Sequence, residues 1–279
     1  MTPAVPAYEG YVFDLDGTLV LGDRVLPGAP ATVAALRAGG RSVRYLTNKP
    51  LERAAAYAAL LTRLSIPAGP DEVVTSTDAL VRYLRLRHPT TPALLVAEPL
   101  VGELLVEAGL PVTGEPADAG VVVVSFDRTF DYPKLLGAYR AVRRGAVIVA
   151  TNPDPYCPTP DGGLPDCAAM LAAIEACTGV RAEAVVGKPS VHMARTLLDR
   201  LGVRPDRTLL VGDRLDTDIA MALQAGMDAA LVLTGATDRR DLAGSPWSPT
   251  FVLDDITQLL PADGPASAAA HATRSGEAR

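Results

Sequence analysis

The chain has 279 residues, of which 48% are hydrophobic and 5% aromatic, and its formal net charge is −6. This length suits one large domain or two ordinary ones with an aliphatic core. The acidic balance argues against a nucleic-acid binder, which would show a basic face, and gives no reason to expect attraction to an anionic membrane. No apolar stretch approaches the roughly 18 residues that span a bilayer. Residues 1–9 have neither the charged region nor the apolar core of a signal peptide, so none is expected. The cysteines form no C-x-x-C pair, and we expect a cytoplasmic protein with reduced thiols and no membrane or nucleic-acid partner.

The first part of the chain predicts strands that alternate with helices. Apolar runs predict strands at residues 11–13, 43–46 and 73–75. Helical spacing predicts helices at residues 29–38 and 51–64, and a third that is capped by Ser76 or Thr77 and ends near residue 87. Residues 20–27 between the first strand and helix are predicted to be a short loop or flap.

A second set of elements follows a linker at residues 88–92. It comprises strands at 93–97, 121–125 and 147–150, and helices at 100–108, 133–144 and 167–177. A long proline-rich loop at residues 151–165 precedes the last of these helices, and loops of that length are usually functional. Further strands are predicted at 184–186, 208–211, 229–233 and 251–253, with helices at 191–201 and 219–225.

Strands alternating with helices predict an α/β fold built on a doubly wound, Rossmann-like parallel sheet. The core is expected to comprise residues 8–83 and 182–260. Residues 84–181 are expected to form a smaller α/β domain inserted into it, which we call the cap. Residues 261–279 have no hydrophobic periodicity and are expected to be a disordered tail.

Polar residues stand at the ends of four predicted strands: Asp14 and Asp16, Thr47 and Asn48, Lys188, and Asp213 with Asp218. Because the carboxyl ends of parallel strands meet at one edge of a sheet, we expect these residues to lie together. One carboxylate can attack phosphorus and form a phospho-aspartate, while a second moves protons. Adjacent acids need a cation to bind a phosphate dianion, and Mg²⁺ prefers carboxylate, phosphate and water oxygens. The sequence therefore predicts a phosphoryl-transfer site with Mg²⁺.

Four motifs occur in order, DLDGTL at 14–19, LTN at 46–48, GKPS at 187–190 and GDRLDTDI at 212–219. As a set they resemble the signatures of haloacid dehalogenase (HAD) superfamily phosphatases. The resemblance implies that Asp14 is the nucleophile and a metal ligand, and that Asp16 is the general acid/base and binds Mg²⁺ through its backbone carbonyl. It implies that Asp213 is a side-chain ligand of the metal.

The resemblance also implies three phosphoryl-binding residues, Thr47, Asn48 and Lys188. Asp218 is implied to hold the hydrogen-bond network of Lys188. The acid at position 16 indicates phosphate esters, because the dehalogenase members of the superfamily lack it.

The insertion resembles the large α/β cap of subfamily IIA, which contains NagD-type sugar and nucleotide phosphatases, 4-nitrophenyl phosphatases, and phosphoglycolate and pyridoxal-phosphate phosphatases. In that subfamily a cap loop contacts the leaving group, and residues 154–162 correspond to it here, with Cys157 and Asp161 as candidate contacts. Lys49 is a candidate ligand for a second anionic group of the substrate. Cys157 stands where pyridoxal-phosphate phosphatases have His, which argues against pyridoxal phosphate.

The sequence thus predicts a Mg²⁺-dependent phosphatase for a small phosphate monoester, with a sugar or polyol phosphate favoured. Phosphoglycolate or a nucleoside monophosphate is the alternative substrate. A phosphosugar mutase and a catalytically silent binding protein are the alternative functions. The resemblance also allows a homodimer formed through the cap.

Overall fold

The structure is a computed structural model that describes residues 5–159 and 162–260. The predicted contact residue Asp161 and the predicted disordered tail at 261–279 lie outside the described residues. Among the described residues, no helix is both long enough and apolar enough to cross a bilayer.

The described strands, in chain order, are β1 (Gly10–Asp14), β2 (Val20–Leu21), β3 (Arg24–Val25), β4 (Ser42–Thr47), β5 (Val73–Thr75), β6 (Ala93–Val96), β7 (Val121–Val124), β8 (Val147–Ala150), β9 (Tyr156–Thr159), β10 (Gly162–Pro165), β11 (Ala184–Val185), β12 (Thr208–Gly212), β13 (Asp228–Val232) and β14 (Phe251–Leu253). The described α-helices are α1 (Ala29–Ala38), α2 (Ala54–Arg63), α3 (Ser76–Arg87), α4 (Pro99–Glu107), α5 (Tyr132–Arg143), α6 (Cys167–Thr178), α7 (Val191–Leu201) and α8 (Ala220–Gln224). A π-helical turn at Leu215–Ile219 runs into α8, and 3₁₀ turns lie at Pro70–Glu72, Pro205–Arg207, Arg239–Gly244 and Ile256–Leu259.

The first of two compact units comprises the described parts of Met1–Thr47, Ala54–Val74 and Leu197–Arg279. Its six-stranded sheet has the order β14-β13-β12-β1-β4-β5, with parallel pairing. From β1 the chain first proceeds through β4 to β5 and later returns on the other side of β1 as β12. Strand order therefore reverses between β1 and β12, and ligands bind at the carboxyl ends of the strands beside such a reversal. The predicted doubly wound α/β fold is confirmed.

The sequence of β1 explains why it lies in the middle of this sheet. All five residues of GYVFD are buried, which is typical of a parallel strand that is covered on both faces. Tyr11 and Phe13 pack into one core with Val33 of α1 and Leu61 of α2. Only the final residue of β1 is charged, so the strand ends by placing a carboxylate at the edge of the sheet.

The second compact unit comprises Asn48–Arg53 and Thr75–Thr196. Its four-stranded parallel sheet has the order β11-β8-β7-β6, and the four valines of β7 are all buried. The predicted cap, residues 84–181, lies inside this unit. The short segment Asn48–Arg53 is attached by side-chain bonds: the Arg53 guanidinium contacts Glu107 at 2.8 Å and Glu103 at 3.1 Å, both on α4.

Three sequence predictions differ from the structure. The long loop predicted at 151–165 contains the antiparallel pair β9 and β10, and the predicted flap at 20–27 contains the short antiparallel pair β2 and β3. Helix α3 is capped by Thr75, not by Ser76 or Thr77, because the Thr75 hydroxyl accepts from the N–H of Asp78 and the Asp78 carboxylate accepts from the N–H of Thr75. This reciprocal pair is a capping box.

Candidate active site

Three buried carboxylates converge at the carboxyl edge of the six-stranded sheet. Asp14 ends β1, Asp213 follows β12, and Asp218 lies in the π-helical turn beyond it. Each is at most 6% exposed, and one carboxylate oxygen from each lies within 4.8 Å of the others. The pairing of Phe13 with Val211 brings the ends of β1 and β12 side by side, which explains how Asp14 and Asp213 meet although they are 199 positions apart in the chain.

The charge and chemistry of this cluster fit a hard divalent cation. Three carboxylates buried at this spacing repel one another, and burying a charge without a compensating partner is costly. Mg²⁺ takes oxygen ligands and is commonly held by one or two carboxylates together with phosphate and water. The acidic cluster is therefore suited to bind a metal ion.

Asp16 lies in a tight turn after β1 and is half-buried. The turn is closed by backbone hydrogen bonds from Gly17 N to Val20 O (2.7 Å) and from Leu19 N to Leu15 O (2.9 Å). Gly17 has a φ of 86°, a left-handed conformation that glycine adopts without strain. The Asp16 carboxylate is not among the three clustered ones, and its predicted metal contact, through its backbone carbonyl, stays a prediction.

The loop after β13 fixes the orientation of the Asp213 carboxylate. The N–H of Ala236 donates to Asp213 Oδ2 at 2.6 Å, and the Thr234 hydroxyl donates to the carbonyl of Gly17 at 2.6 Å. A Cβ on Gly235 would lie only 2.6 Å from Asp213 Cγ, so this position has room for glycine alone. The sequence analysis missed the role of Ala236, because a backbone donor leaves no signal in residue type.

Asp218 reaches the cluster because Gly212 has no side chain. A Cβ at position 212 would lie 2.6 Å from Asp218 Oδ2. The same oxygen accepts from the N–H of Arg214 at 3.2 Å. Asp218, predicted to support Lys188, is therefore also one of the three clustered carboxylates.

Thr47 ends β4 at the same edge of the sheet and is 2% exposed. Because Asp14 pairs with Leu46 on β4, Thr47 lies one residue beyond the level of Asp14. This placement is compatible with the predicted phosphoryl contact, which stays a prediction.

The other predicted site residues belong to the second compact unit. Lys188 is 4% exposed and follows Gly187, and the side chain of Asn48 accepts from the N–H of Lys188 at 2.8 Å. Cys157 is buried on β9, where it pairs with Leu164 on β10. Lys49 lies close enough to Asp166 for its charge to act on that carboxyl. Their predicted contacts with substrate stay predictions.

Asp166 is a buried acid that the sequence analysis did not single out. It is 3% exposed and caps α6 by accepting from the N–H of Cys167 at 2.6 Å. Burial raises the pKa of Asp166 to about 6, the charge of Asp154 adds to that rise, and the hydrogen bond from Cys167 opposes it. Its N–H also donates to Pro155 O at 3.1 Å, which closes the base of the β9–β10 hairpin. An Asp one residue before a predicted helix was the available signal.

Comparison with known proteins gives a consistent result over almost the whole chain. A family model described as haloacid dehalogenase-like hydrolase matches residues 11–111, and a HAD-hydrolase-like model matches residues 185–259. The chain is 34% identical to the sugar-phosphatase AraL of Bacillus subtilis, over 92% of this chain and 94% of that protein. It is 33% identical to the glycerol-3-phosphate phosphatase of Homo sapiens, over 90% and 89% of the two chains. The crystal structure of a 4-nitrophenylphosphatase from Thermotoga maritima superposes with a TM-score of 0.84 at 31% identity, covering 90% of this chain and 96% of that one.

Proposed function

The chain belongs to the haloacid dehalogenase-like hydrolases and is a phosphoric monoester hydrolase, and we propose that it hydrolyses a small sugar or polyol phosphate through a phospho-aspartate. The observation that carries this proposal is the convergence of Asp14, Asp213 and Asp218 at the edge of the sheet. The activities named for the sugar-phosphatase and glycerol-3-phosphate phosphatase relatives support the substrate class.

In the first half of the proposed reaction, Asp14 attacks phosphorus and the bond from phosphorus to the alcohol oxygen breaks. Asp16 donates a proton to that oxygen, so that a neutral alcohol leaves. In the second half, Asp16 takes a proton from water, the water oxygen bonds to phosphorus, and the carboxylate of Asp14 is released with inorganic phosphate. The half-buried position of Asp16 in a turn suits a group that must exchange protons with substrate and water.

The proposed metal ligands are the side chains of Asp14 and Asp213 and the backbone carbonyl of Asp16. Mg²⁺, when bound, supplies positive charge that offsets the carboxylates and the phosphate dianion. Thr47, Asn48 and Lys188 are proposed to bind or orient the phosphoryl group, and a buried lysine contributes a fixed positive charge there. Asp218 is proposed to support this arrangement rather than to react.

The nucleophile is tested by Asp14→Asn, which keeps the size of the side chain and removes its nucleophilic oxygen. We expect turnover of 4-nitrophenyl phosphate to disappear while circular dichroism and the unfolding temperature are retained. Acid quenching with radiolabelled substrate should trap a phosphorylated wild-type protein and no phosphorylated variant. Asp23→Asn, on an exposed turn, is the matched control and should leave turnover unchanged. Retained turnover in Asp14→Asn would overturn the mechanism.

The substrate class is tested by a phosphate-release screen over sugar, polyol, nucleoside and short-acid phosphates. The highest kcat/KM is expected for a sugar or polyol phosphate. A preference for phosphoglycolate or for a nucleoside monophosphate would replace that part of the proposal. Reaction in water labelled with heavy oxygen separates hydrolysis from phosphosugar mutase chemistry, because only a hydrolase incorporates the label into released phosphate.

A further inference from the structure

Asn48 lies at the centre of a hydrogen-bond network in the second compact unit. Its Oδ1 accepts from the N–H of Lys188 at 2.8 Å, and its Nδ2 donates to Asp154 Oδ2 at 2.9 Å and to the carbonyl of Lys188 at 3.2 Å. Asn48 is 7% exposed and Lys188 is 4% exposed. The amide therefore bonds both polar groups of the Lys188 backbone, away from water.

The orientation of this amide is fixed by its neighbours. An ionised carboxylate can only accept hydrogen bonds, so Nδ2 must face Asp154. Oδ1 then faces the N–H of Lys188, which can only donate. A flipped amide would place Oδ1 against two acceptors and Nδ2 against a donor. Asp154 thus holds the Asn48 amide in the orientation in which Oδ1 meets the N–H of Lys188 and Nδ2 meets its carbonyl.

Close contacts and further hydrogen bonds hold the backbone around this network. A Cβ on Gly187 would lie 2.6 Å from Asn48 Oδ1 and 3.2 Å from Asn152 Cβ. The carbonyl of Asn48 accepts from Ser76 Oγ at 2.7 Å and from Asn152 Nδ2 at 3.4 Å. Both the side chain and the main chain of Asn48 are therefore held in place.

The Asn48 side chain could bind a phosphate oxygen only through an N–H donor, because that oxygen is a hydrogen-bond acceptor. The Asn48 side chain has two N–H donors, and both are used, one by Asp154 and one by Lys188. We propose that Asn48 is a positioning residue that acts through Lys188 and is oriented by Asp154, rather than a residue whose side chain binds the phosphoryl group. The proposal rests on the proposed function, in which Lys188 contributes charge to the transferring group.

A double-mutant cycle between Asn48→Ala and Lys188→Ala tests the proposal. In the otherwise wild-type chain, Asn48→Ala should lower kcat/KM by about 10²-fold, the usual effect of misplacing an electrostatic donor. In the Lys188→Ala background the same change should cost less than about threefold, because the residue through which Asn48 acts is gone. An undiminished loss of about 10²-fold in that background would overturn the proposal.

An exchange of the two partners provides a rescue experiment. Asn48→Asp keeps an oxygen that accepts from the N–H of Lys188, but it places the new carboxylate against the carboxylate of Asp154. Adding Asp154→Asn supplies an amide N–H that can donate between positions 154 and 48. The double variant should recover kcat/KM at least about tenfold over Asn48→Asp alone. Pairing Asn48→Asp with Asp118→Asn, at an exposed site, is the matched control and should recover nothing. No recovery in the exchanged pair, or equal recovery in the control, would contradict the proposal.

Amide hydrogen exchange gives a measurement that does not depend on turnover. Asn48→Ala should accelerate exchange at the N–H of Lys188, since that group loses its acceptor, and unchanged protection would contradict the network. If the wild-type chain failed to hydrolyse any phosphate ester, the proposed function would fail while this result stood. The two failures are therefore distinguishable.

Discussion

Gly235→Ala is the substitution whose effect follows most directly from the geometry around Asp213. The new Cβ would lie 2.6 Å from Cγ and 2.7 Å from Cβ of Asp213, whereas carbon atoms in contact are separated by about 3.5 Å or more. The loop cannot simply withdraw, because Ala236 bonds Asp213 and Thr234 bonds Gly17. We therefore expect the Asp213 carboxylate to shift by about 1 Å.

Two independent magnitudes give the same size of effect. A misplacement of about 1 Å at a reacting centre costs about 10²-fold in rate, which corresponds to about 2.7 kcal/mol. Loss of a hydrogen bond to a charged group, here from Ala236 to Asp213, costs about 1.5–3 kcal/mol. We expect Gly235→Ala to lower kcat/KM by about 10²-fold and to raise the half-saturating Mg²⁺ concentration by at least about tenfold.

The measurement is 4-nitrophenyl phosphate hydrolysis over a Mg²⁺ titration, together with the Mg²⁺-dependent rise in unfolding temperature. Gly244→Ala is the matched control, because a Cβ there would meet nothing within 4 Å. Wild-type values of both quantities in Gly235→Ala would refute the role assigned to Asp213 and its loop.

Two further predictions concern the same loop and the cap. Thr234→Val removes the hydroxyl that donates to the carbonyl of Gly17 and should raise the half-saturating Mg²⁺ concentration about fivefold. Thr234→Ser keeps a hydroxyl and should give the wild-type Mg²⁺ concentration. Equal Mg²⁺ dependence of the two variants would argue against this bond. Because the pKa of Asp166 is raised to about 6 from its ordinary 3.8, the folded state binds more protons between those values, so its contribution to stability is lost as pH rises from about 4 to 6. In denaturant unfolding, Asp166→Asn should remove about 2 kcal/mol of the stability loss between pH 4.5 and 7. An unchanged pH dependence would contradict the assignment.

The sequence predicted the structure best where one physical rule was enough to identify an element or its position in the sheet. Buried apolar runs followed by an acid, as at Asp14 and Asp213, identify strands that end at a ligand-binding edge. The parallel sheet then follows from strands alternating with helices. Glycine positions such as Gly187 and Gly212 were recognised as parts of motifs, but the close contacts that require them are visible only in three dimensions.

The β9–β10 hairpin was not predicted, because its prolines argue against strands. A two-stranded ribbon tolerates them, since proline occupies edge positions where no N–H is needed by the sheet. Pro158 and Pro165 both lie within the pair. The network of Asn48 was also hidden, because its partners Asp154 and Lys188 are over 100 residues away along the chain. Hydrogen bonds at such separations are set by tertiary packing and leave no periodic pattern.

The division of the chain between Thr47 and Asn48 has a practical consequence for modular engineering. Residues 48–53 precede the predicted cap by 30 positions, yet they belong to the same compact unit and bond Asp154, Glu103 and Glu107. A chimera that exchanged only residues 84–181 would leave this short segment facing a foreign partner. The second compact unit is therefore discontinuous, and a transplant of this unit must carry both pieces together.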